Sequence, residues 1–200
     1  MRKLLLSLLL SVAVCTWGQT SADVFRMVMQ LQGNAESAGN DIRLLPSGRE
    51  KYADMLAAIR SAQNFVHLEY FIFRNDSIGS ALIDELHRKV KQGVEVRVLI
   101  DAYGNYKSLA PMTQTQLDSI RALGIRVAVF DPLRFPYLPN IYHRDHRKIV
   151  VVDGRVAYTG GMNVADYYIH GTPRTGPWRD MQVRMEGPVV NDFERIFDRL

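Results

Sequence analysis

The feature that most constrains the fold of this 200-residue chain is a regular alternation of strand and helix patterns between residues 47 and 130. Runs rich in β-branched and aromatic residues predict buried strands at 65–73, 94–100 and 125–130. Apolar residues at helical spacing predict helices at 47–59, 77–92 and 113–123. Because such alternation is typical of α/β proteins, we expect a mixed, largely parallel sheet with helices on both faces.

Local signals also predict the elements that follow residue 130. A proline-rich segment at 131–140 predicts a long loop, of the kind that often borders a site. Asp153-Gly154 between two β-rich runs predicts a hairpin, and a further strand is expected at 180–186. A helix is predicted from Pro188, and we expect its apolar stripe to be buried in an interface. The stripe consists of Val189, Phe193, Ile196, Phe197 and Leu200.

The N-terminus has the pattern of a secretory leader. Arg2 and Lys3 precede an apolar run at 4–14, and small and polar residues follow it. A helix of that length spans about 16 Å, whereas the hydrocarbon core of a bilayer is about 30 Å thick. Residues 1–22 are therefore predicted to be a signal peptide, with an uncleaved anchor or a lipid attached at Cys15 as alternatives.

The leader pattern predicts an exported or membrane-associated protein of the bacterial cell envelope. Cleavage is expected after Gly18 or Ala22. Residues 23–46 contain scattered glycines and are interpreted as a linker with one short helix near 24–31.

Composition excludes several classes of protein. With 47% hydrophobic and 23% charged residues, the chain is neither wholly disordered nor a multi-span membrane protein. A single cysteine excludes a disulfide framework. The formal net charge is +4, and two of the positive charges belong to Arg2 and Lys3. This mild basicity permits an anionic partner but does not indicate nucleic acid.

The densest cluster of reactive side chains lies between His143 and Lys148. His146 and Lys148 are two residues apart on the way into a strand, so their side chains share one face. The hairpin then returns the chain through Gly160-Gly161 to Asn163, beside His146. A nucleophile, a cation and a neutral donor at one spot suit a phosphate group, which glycines allow the backbone to approach closely.

This pattern resembles the HxKxxxxD motif of the phospholipase D superfamily: His146-x-Lys148 is followed by Asp153 and then by Gly160-Gly161-x-Asn163. The segments 142–154 and 157–163 resemble the first such motif of bacterial cardiolipin synthases. Further matches to those enzymes lie at 67–73, 132–134, 178–180 and 186–188. The resemblance covers about residues 47–200 and identifies this region as a phospholipase D-like catalytic half.

The resemblance implies roles for the motif residues. His146 would be the nucleophile that forms a phosphohistidine, or else its acid partner. Lys148, Asn163 and Gly161 would bind the phosphate of the substrate. Asp153 would complete the catalytic motif mainly as a structural or hydrogen-bonding member, and neither a metal nor another cofactor would be needed.

The implied reaction is phosphatidyl transfer between two molecules of phosphatidylglycerol, which gives cardiolipin at a membrane surface. A secreted phospholipase D, a phosphodiesterase or nuclease of the same superfamily, and a non-catalytic half that binds anionic lipid are the alternatives. Superfamily members carry two HxKxxxxD motifs, whereas this sequence contains one complete copy, because His87-Arg88-Lys89 has Val94 where the motif requires aspartate. A second half is therefore expected beyond Leu200 or in a homodimer partner, and nucleic acid is not an expected partner.

Other polar residues near the motif have alternative interpretations. Glu69 and Asp101 lie at or near the C-terminal ends of predicted strands, where sites of α/β proteins gather. They are candidates to support the site from behind, or ordinary capped carboxylates. A metal site is the alternative for three neighbouring residues of the motif, His143, Asp145 and His146.

Overall fold

The computed structural model describes residues 20–31, 37–106, 108, 110–132, 142–174 and 176–199. The chain divides into two compact units, residues 1–38 and 39–200. The first unit contains helix α1 (Ser21–Leu31), which agrees with the short helix expected near 24–31. The apolar run of the leader and most of the proline-rich loop lie outside the described residues. No described helix combines the length and the apolar character that a bilayer crossing requires.

The second unit is built on a mixed sheet. Its strands are β1 (Asp41–Leu45), β2 (Phe65–Tyr70), β3 (Glu95–Asp101), β4 (Arg126–Phe130), β5 (Lys148–Val152), β6 (Val156–Gly160) and β7 (Gln182–Glu186). Their spatial order is β1-β7-β6-β5-β2-β3-β4. Only β2–β3 and β3–β4 pair in parallel among the described strands, so the sheet is mixed but not largely parallel. Helical crossovers connect the parallel strands, whereas the short turn between β5 and β6 requires antiparallel pairing.

Six described helices belong to this unit, and side-chain caps start several of them. They are α2 (Gly48–Ser61), α3 (Ser77–Lys91), α4 (Ala102–Tyr106), α5 (Gln114–Ala122), α6 (Tyr167–His170) and α7 (Val190–Phe197). The predicted cap of α2 is present, because the Glu50 N–H donates to Ser47 Oγ at 3.2 Å. Thr113 and Gln116 form a capping box at the start of α5.

The segment interpreted as a linker ends in a strand. Residues 41–45 form edge strand β1, which pairs with β7 in the antiparallel sense. Ile42 and Leu44 remain exposed, whereas Leu45 is buried. The sequence of this segment gives only a weak strand pattern. The strand forms because it pairs with β7, which lies far along the chain, and no local pattern indicates that pairing. The compact unit accordingly begins at residue 39 rather than 47.

Hydrophobic cores cover both faces of the sheet, as expected. The larger core packs α2, α3 and α5 against one face. The smaller core lies under α7 and includes Ile149, Val151, Ala157, Met185 and Val190, with Phe193 and Ile196 packed against it. The expectation that the α7 stripe needs an interface is therefore wrong for its described residues, because the sheet itself covers them.

Candidate active site at the start of strand β5

The structure brings His146 and Lys148 together where β5 begins. Lys148 Nζ donates to the main-chain oxygen of His146 at 2.6 Å. The His146 ring packs on Phe71, with ring centroids 4.6 Å apart, and Lys148 Nζ lies 5.2 Å from the centroid of the same Phe71 ring. Phe71 directly follows Tyr70, the residue of β2 that pairs with Lys148. Both motif side chains therefore lie at the C-terminal end of β2.

Asn163 joins the same spot from the end of the hairpin. Its Oδ1 accepts the backbone N–H of Ile72 at 2.9 Å, and its Nδ2 donates to the Tyr168 hydroxyl at 3.0 Å. An amide nitrogen carries two hydrogens, so one remains beyond the bond to Tyr168. His146 and Lys148 thus contact Phe71, and Asn163 contacts the next residue of the chain, Ile72.

Burial and neighbouring charge set the protonation of the two motif side chains. Burial, and then the charge of Lys148, lower the pKa of His146 below its ordinary value. Burial lowers the pKa of Lys148 to about 8, although Asp145, Asp180 and Asp101 oppose the shift. A histidine with a lowered pKa is neutral at pH 7 and keeps a lone pair for nucleophilic attack.

Glu69 and Asp101 contact the residues on either side of His146. Asp101 accepts the backbone N–H of Gly104 at 2.8 Å and that of Asp145 at 2.9 Å. Glu69 forms an ion pair with Arg147, which also reaches Asp145 Oδ1 at 3.1 Å. Burial and the neighbouring Asp145 raise the pKa of Glu69 to about 8, against the effect of Arg147. Both carboxyl groups are fully buried, and they hold Asp145 and Arg147, the neighbours of His146 in the sequence.

Asp153 lies at the opposite end of β5 from Lys148. Its carboxylate accepts three backbone N–H groups at 2.8 to 2.9 Å, from Gln63, Asn64 and Phe65. Arg155 pairs with it at 2.8 Å. Five residues of strand separate Asp153 from Lys148 by about 16 Å. The structure therefore does not place Asp153 with His146, and its contacts are those of the structural member that the resemblance implied.

Gly161 allows a carboxylate to approach the site closely. A Cβ atom at this position would overlap the carboxylate of Asp180. The negative charge of Asp180 opposes the lowered pKa of Lys148 and also that of Lys51. Gly161 therefore packs against Asp180 in this structure, and contact of Gly161 with substrate stays a prediction.

The sequence patterns did not single out Lys51 and Gln182. Lys51 is fully buried, and its Nζ donates to the main-chain oxygen of Asn163 at 3.1 Å. Its spacing of four and eight from the buried Met55 and Ile59 was the available signal, because it places Lys51 on the apolar stripe of α2. Gln182 is fully buried with no described partner for either amide atom. Its position in β7 gave no such signal.

The alternative metal ligands of the motif have other contacts. His143 Nδ1 lies 3.0 Å from Asp131, and Asp145 contacts Arg147. Within the described parts of the chain, the ligand atoms close enough to share an ion belong to His67, Glu194 and Asp198. His67 already lies between two carboxylates there, with Glu194 at 2.8 Å and Glu95 at 3.4 Å. Both ring nitrogens of His67 therefore already face a carboxylate.

Solved structures with the same architecture define the class of fold. Nuc from Salmonella typhimurium, a phospholipase D family member, matches with a TM-score of 0.61 and 18% identity, over 80% of this chain and 93% of that chain. Phosphatidylserine synthase of Haemophilus influenzae matches with a TM-score of 0.62 and 18% identity, over 79% of this chain and 36% of its own. The chain thus has a phospholipase D-like fold.

Sequence comparison then gives the family. The family described as cardiolipin synthase, PLD-like domain, matches residues 55–200, and the chain belongs to it. The chain is 35% identical over 175 residues to cardiolipin synthase of Alkalihalophilus pseudofirmus, covering 87% of this chain and 34% of the relative. It is 36% identical over 172 residues to that of Staphylococcus aureus strain MW2, covering 84% and 34%. The chain spans about a third of the length of these curated relatives.

Proposed function

We propose that this chain is the half of a phosphatidyltransferase that carries the nucleophilic histidine, and that the enzyme makes cardiolipin from two molecules of phosphatidylglycerol. The observation that carries the proposal is the meeting of His146, Lys148 and Asn163 around Phe71 and Ile72. Membership of the cardiolipin synthase, PLD-like family supports the choice of substrate.

In the first step, a ring nitrogen of neutral His146 attacks the phosphorus of one phosphatidylglycerol. The N–P bond forms as the P–O bond to the head-group glycerol breaks, so the phosphatidyl group stays on His146. Lys148 balances the charge that develops on the non-bridging oxygens. The remaining N–H of the Asn163 amide donates to the same oxygens.

In the second step, a head-group hydroxyl of a second phosphatidylglycerol attacks the same phosphorus and gives its proton to the group that protonated the departing glycerol. The N–P bond breaks, cardiolipin leaves, and His146 returns to its starting state. The balance is two phosphatidylglycerols to one cardiolipin and one glycerol. Attack by water instead would give phosphatidic acid, so the acceptor alone separates a transferase from a phospholipase.

The first step requires a second acid. The departing glycerol oxygen lies opposite the attacking nitrogen in an in-line displacement, so His146 cannot protonate it. We assign this proton to the histidine of a second HxKxxxxD half, in the same polypeptide or in a second copy of the chain. With two lysines from two motifs at the phosphate, the scheme needs no metal.

The scheme also places the site at a membrane surface, because both substrates are lipids. The basic and apolar pattern of residues 1–22 is consistent with a protein that is exported to, or anchored in, a bacterial cell envelope. We infer that location for the mature enzyme. The mass of the protein isolated from its native host tests it, since cleavage after Gly18 or Ala22 would remove about 18 to 22 residues.

The direct test uses the protein at its full genomic length with vesicles of phosphatidylglycerol. Cardiolipin and glycerol are expected in equal amounts. Phosphatidic acid as the sole lipid product would instead identify a phospholipase D. Cleavage of DNA or of bis-p-nitrophenyl phosphate without lipid turnover would identify a phosphodiesterase or nuclease, and vesicle binding without any turnover would identify a non-catalytic half.

A further inference from the structure

The start of helix α2, which precedes the family match, contacts the backbone of Asn163. Lys51 Nζ and the Tyr52 hydroxyl both donate to the main-chain oxygen of Asn163, at 3.1 and 2.7 Å. The Tyr52 hydroxyl also accepts the backbone N–H of Ala165 at 3.1 Å. Both donors belong to the first turn of α2, before the matched region that begins at residue 55. The first turn of α2 therefore holds the segment 163–165 by its backbone.

The hydrogen bond from Lys51 to Asn163 requires burial of a lysine amino group, which costs free energy of folding. The side chain is fully buried, and burial lowers the pKa of its ammonium group to about 7, against the effect of Asp180. Its Nζ lies 4.0 Å from the centroid of the Tyr52 ring and 5.1 Å from that of Tyr70. A methionine of similar shape would fill this apolar space without burying a charge. What a methionine would not supply is the bond to Asn163.

We propose that Lys51 is a positioning residue of the phosphate site, which acts by fixing the backbone of Asn163 so that the Asn163 amide stays beside His146 and Lys148. This inference rests on the phosphate chemistry of the proposed function. Lys51 does not touch substrate, because its side chain has no exposed surface. Its effect on the reaction passes through Asn163.

The assignment depends on two separate sets of hydrogen bonds that hold Asn163. Its backbone oxygen is held by α2, and its side-chain oxygen is held by the Ile72 N–H at the end of β2. Loss of Lys51 leaves the Tyr52 hydroxyl as the described donor to the Asn163 backbone oxygen, so residue 163 stays attached but is held there by one bond instead of two and can shift. Shifts of about 1 Å in a positioning group can cost about 100-fold in rate.

A second buried lysine provides a matched control. Lys89 of α3 is 3% exposed, and its Nζ donates to the main-chain oxygen of Arg60 at 3.0 Å. Arg60 lies in the last turn of α2, whereas Lys51 lies in the first. Lys51→Met and Lys89→Met each remove a buried amino group that donates to one backbone oxygen, and Lys89 Nζ also donates to Gln92 Oε1 at 2.6 Å. Only Lys51→Met removes a bond to a residue of the motif.

The test is a double-mutant cycle between Lys51→Met and Asn163→Ala in the full-length protein, with rates normalised to the folded fraction. Lys51→Met alone is expected to lower kcat/KM for phosphatidylglycerol at least about tenfold. In the Asn163→Ala background it should cost almost nothing further, because the amide it positions is gone. Lys89→Met should lower the melting temperature but leave kcat/KM unchanged relative to its own background, with either Asn or Ala at position 163.

Equal losses from Lys51→Met in both backgrounds, or equal behaviour of Lys51→Met and Lys89→Met, would overturn the assignment while the proposed function stands. Titration with inorganic phosphate repeats the cycle without catalysis, and the same non-additive weakening of phosphate affinity is expected. If the wild type binds phosphate in this way but turns over no phosphatidylglycerol, the proposed function fails and the role of Lys51 holds. If it does neither, both fail.

Discussion

The two ends of strand β5 carry parts of one sequence motif but differ in how their charges are satisfied. At the Asp153 end, one carboxylate accepts three backbone N–H groups and an ion pair from Arg155. Burial alone would raise the pKa of Asp153, but these bonds outweigh it and lower the pKa. At the Lys148 end, burial lowers the pKa values of His146 and Lys148 and raises that of Glu69. Each shift favours the neutral form of the side chain.

This difference separates a structural end from a chemical end. A carboxylate that is fully bonded as an anion stabilises the fold and has little left for a substrate. At the other end, a lysine whose pKa is lowered to about 8 stays mostly charged at pH 7 and can bind an incoming anion, while a neutral histidine can act as a nucleophile. Shifted pKa values of this kind are common at active sites. Substitutions at the Lys148 end should therefore reduce turnover, and substitutions at the Asp153 end should reduce stability.

The largest expected effect is that of His146→Ala. Without the attacking nitrogen, turnover of phosphatidylglycerol by the full-length protein should fall by at least about 10⁴-fold, while the melting temperature changes little because the ring is exposed. His87→Ala is the matched control, since His87 lies on α3 and bonds the main-chain oxygen of Leu123. Wild-type turnover in the His146 variant would refute its assignment as the nucleophile.

Lys148→Ala should have the next largest effect. It removes the cation beside His146, so kcat is expected to fall by about 10² to 10³-fold, as for loss of one group that stabilises the transition state. Phosphate affinity should weaken in parallel, which titration with inorganic phosphate would measure. An unchanged phosphate affinity would show that the ammonium group does not face the anion.

Asp153→Asn tests the structural end of β5. Loss of the anionic acceptor should lower the free energy of unfolding by about 2 to 3 kcal/mol, whereas kcat per folded molecule stays near wild type. Because the folded-state pKa lies below the unfolded value of 3.8, the wild-type advantage is present above that pH and is lost as pH falls through the folded pKa. Denaturant unfolding at several pH values checks both points. A large loss of kcat in fully folded protein would move Asp153 into the active site.

The smallest effect on turnover is expected for Glu69→Gln, which acts mainly on the pH dependence of stability. The folded-state pKa of about 8 lies above the unfolded value of 4.5, so the folded protein binds more protons between these pH values. The contribution of Glu69 to stability is therefore full below about 4.5 and is lost as pH rises to about 8. The glutamine variant cannot titrate, so its stability relative to wild type should improve from pH 5 to 8. Parallel pH profiles would show that Glu69 is already ionised in the fold.

Local patterns were sufficient to predict most elements around the site. The strand expected at 125–130 runs from Arg126 to Phe130, and the hairpin turn falls at Asp153-Gly154 as predicted. These signals are local: apolar periodicity, caps and turn residues act within a few residues of chain. They give no order of strands, which is why the antiparallel pairing of β2 with β5 and of β6 with β7, and edge strand β1, were not foreseen.

The candidate site was predictable only in part for the same reason. His146, Lys148 and Asn163 were found because the motif lies on one hairpin. The groups that hold them come from other elements, such as Lys51 on α2 and Asp180 before β7, and no pattern near the motif indicates these contacts. The motif spacing also grouped Asp153 with His146 and Lys148, although the extended strand keeps Asp153 about 16 Å from Lys148.

The central claim is that His146 at the Lys148 end of β5 becomes covalently attached to phosphorus during turnover. Acid hydrolyses a phosphohistidine bond whereas alkali preserves it, so the full-length protein is mixed with phosphatidylglycerol vesicles, quenched in alkali within the first turnover and examined by mass spectrometry of its peptides. The prediction is a phosphatidyl adduct on the peptide that contains His146, absent from His146→Ala and present in His87→Ala. Cardiolipin formed at the wild-type rate by His146→Ala, or an adduct on another residue of this chain in the wild type, would contradict it.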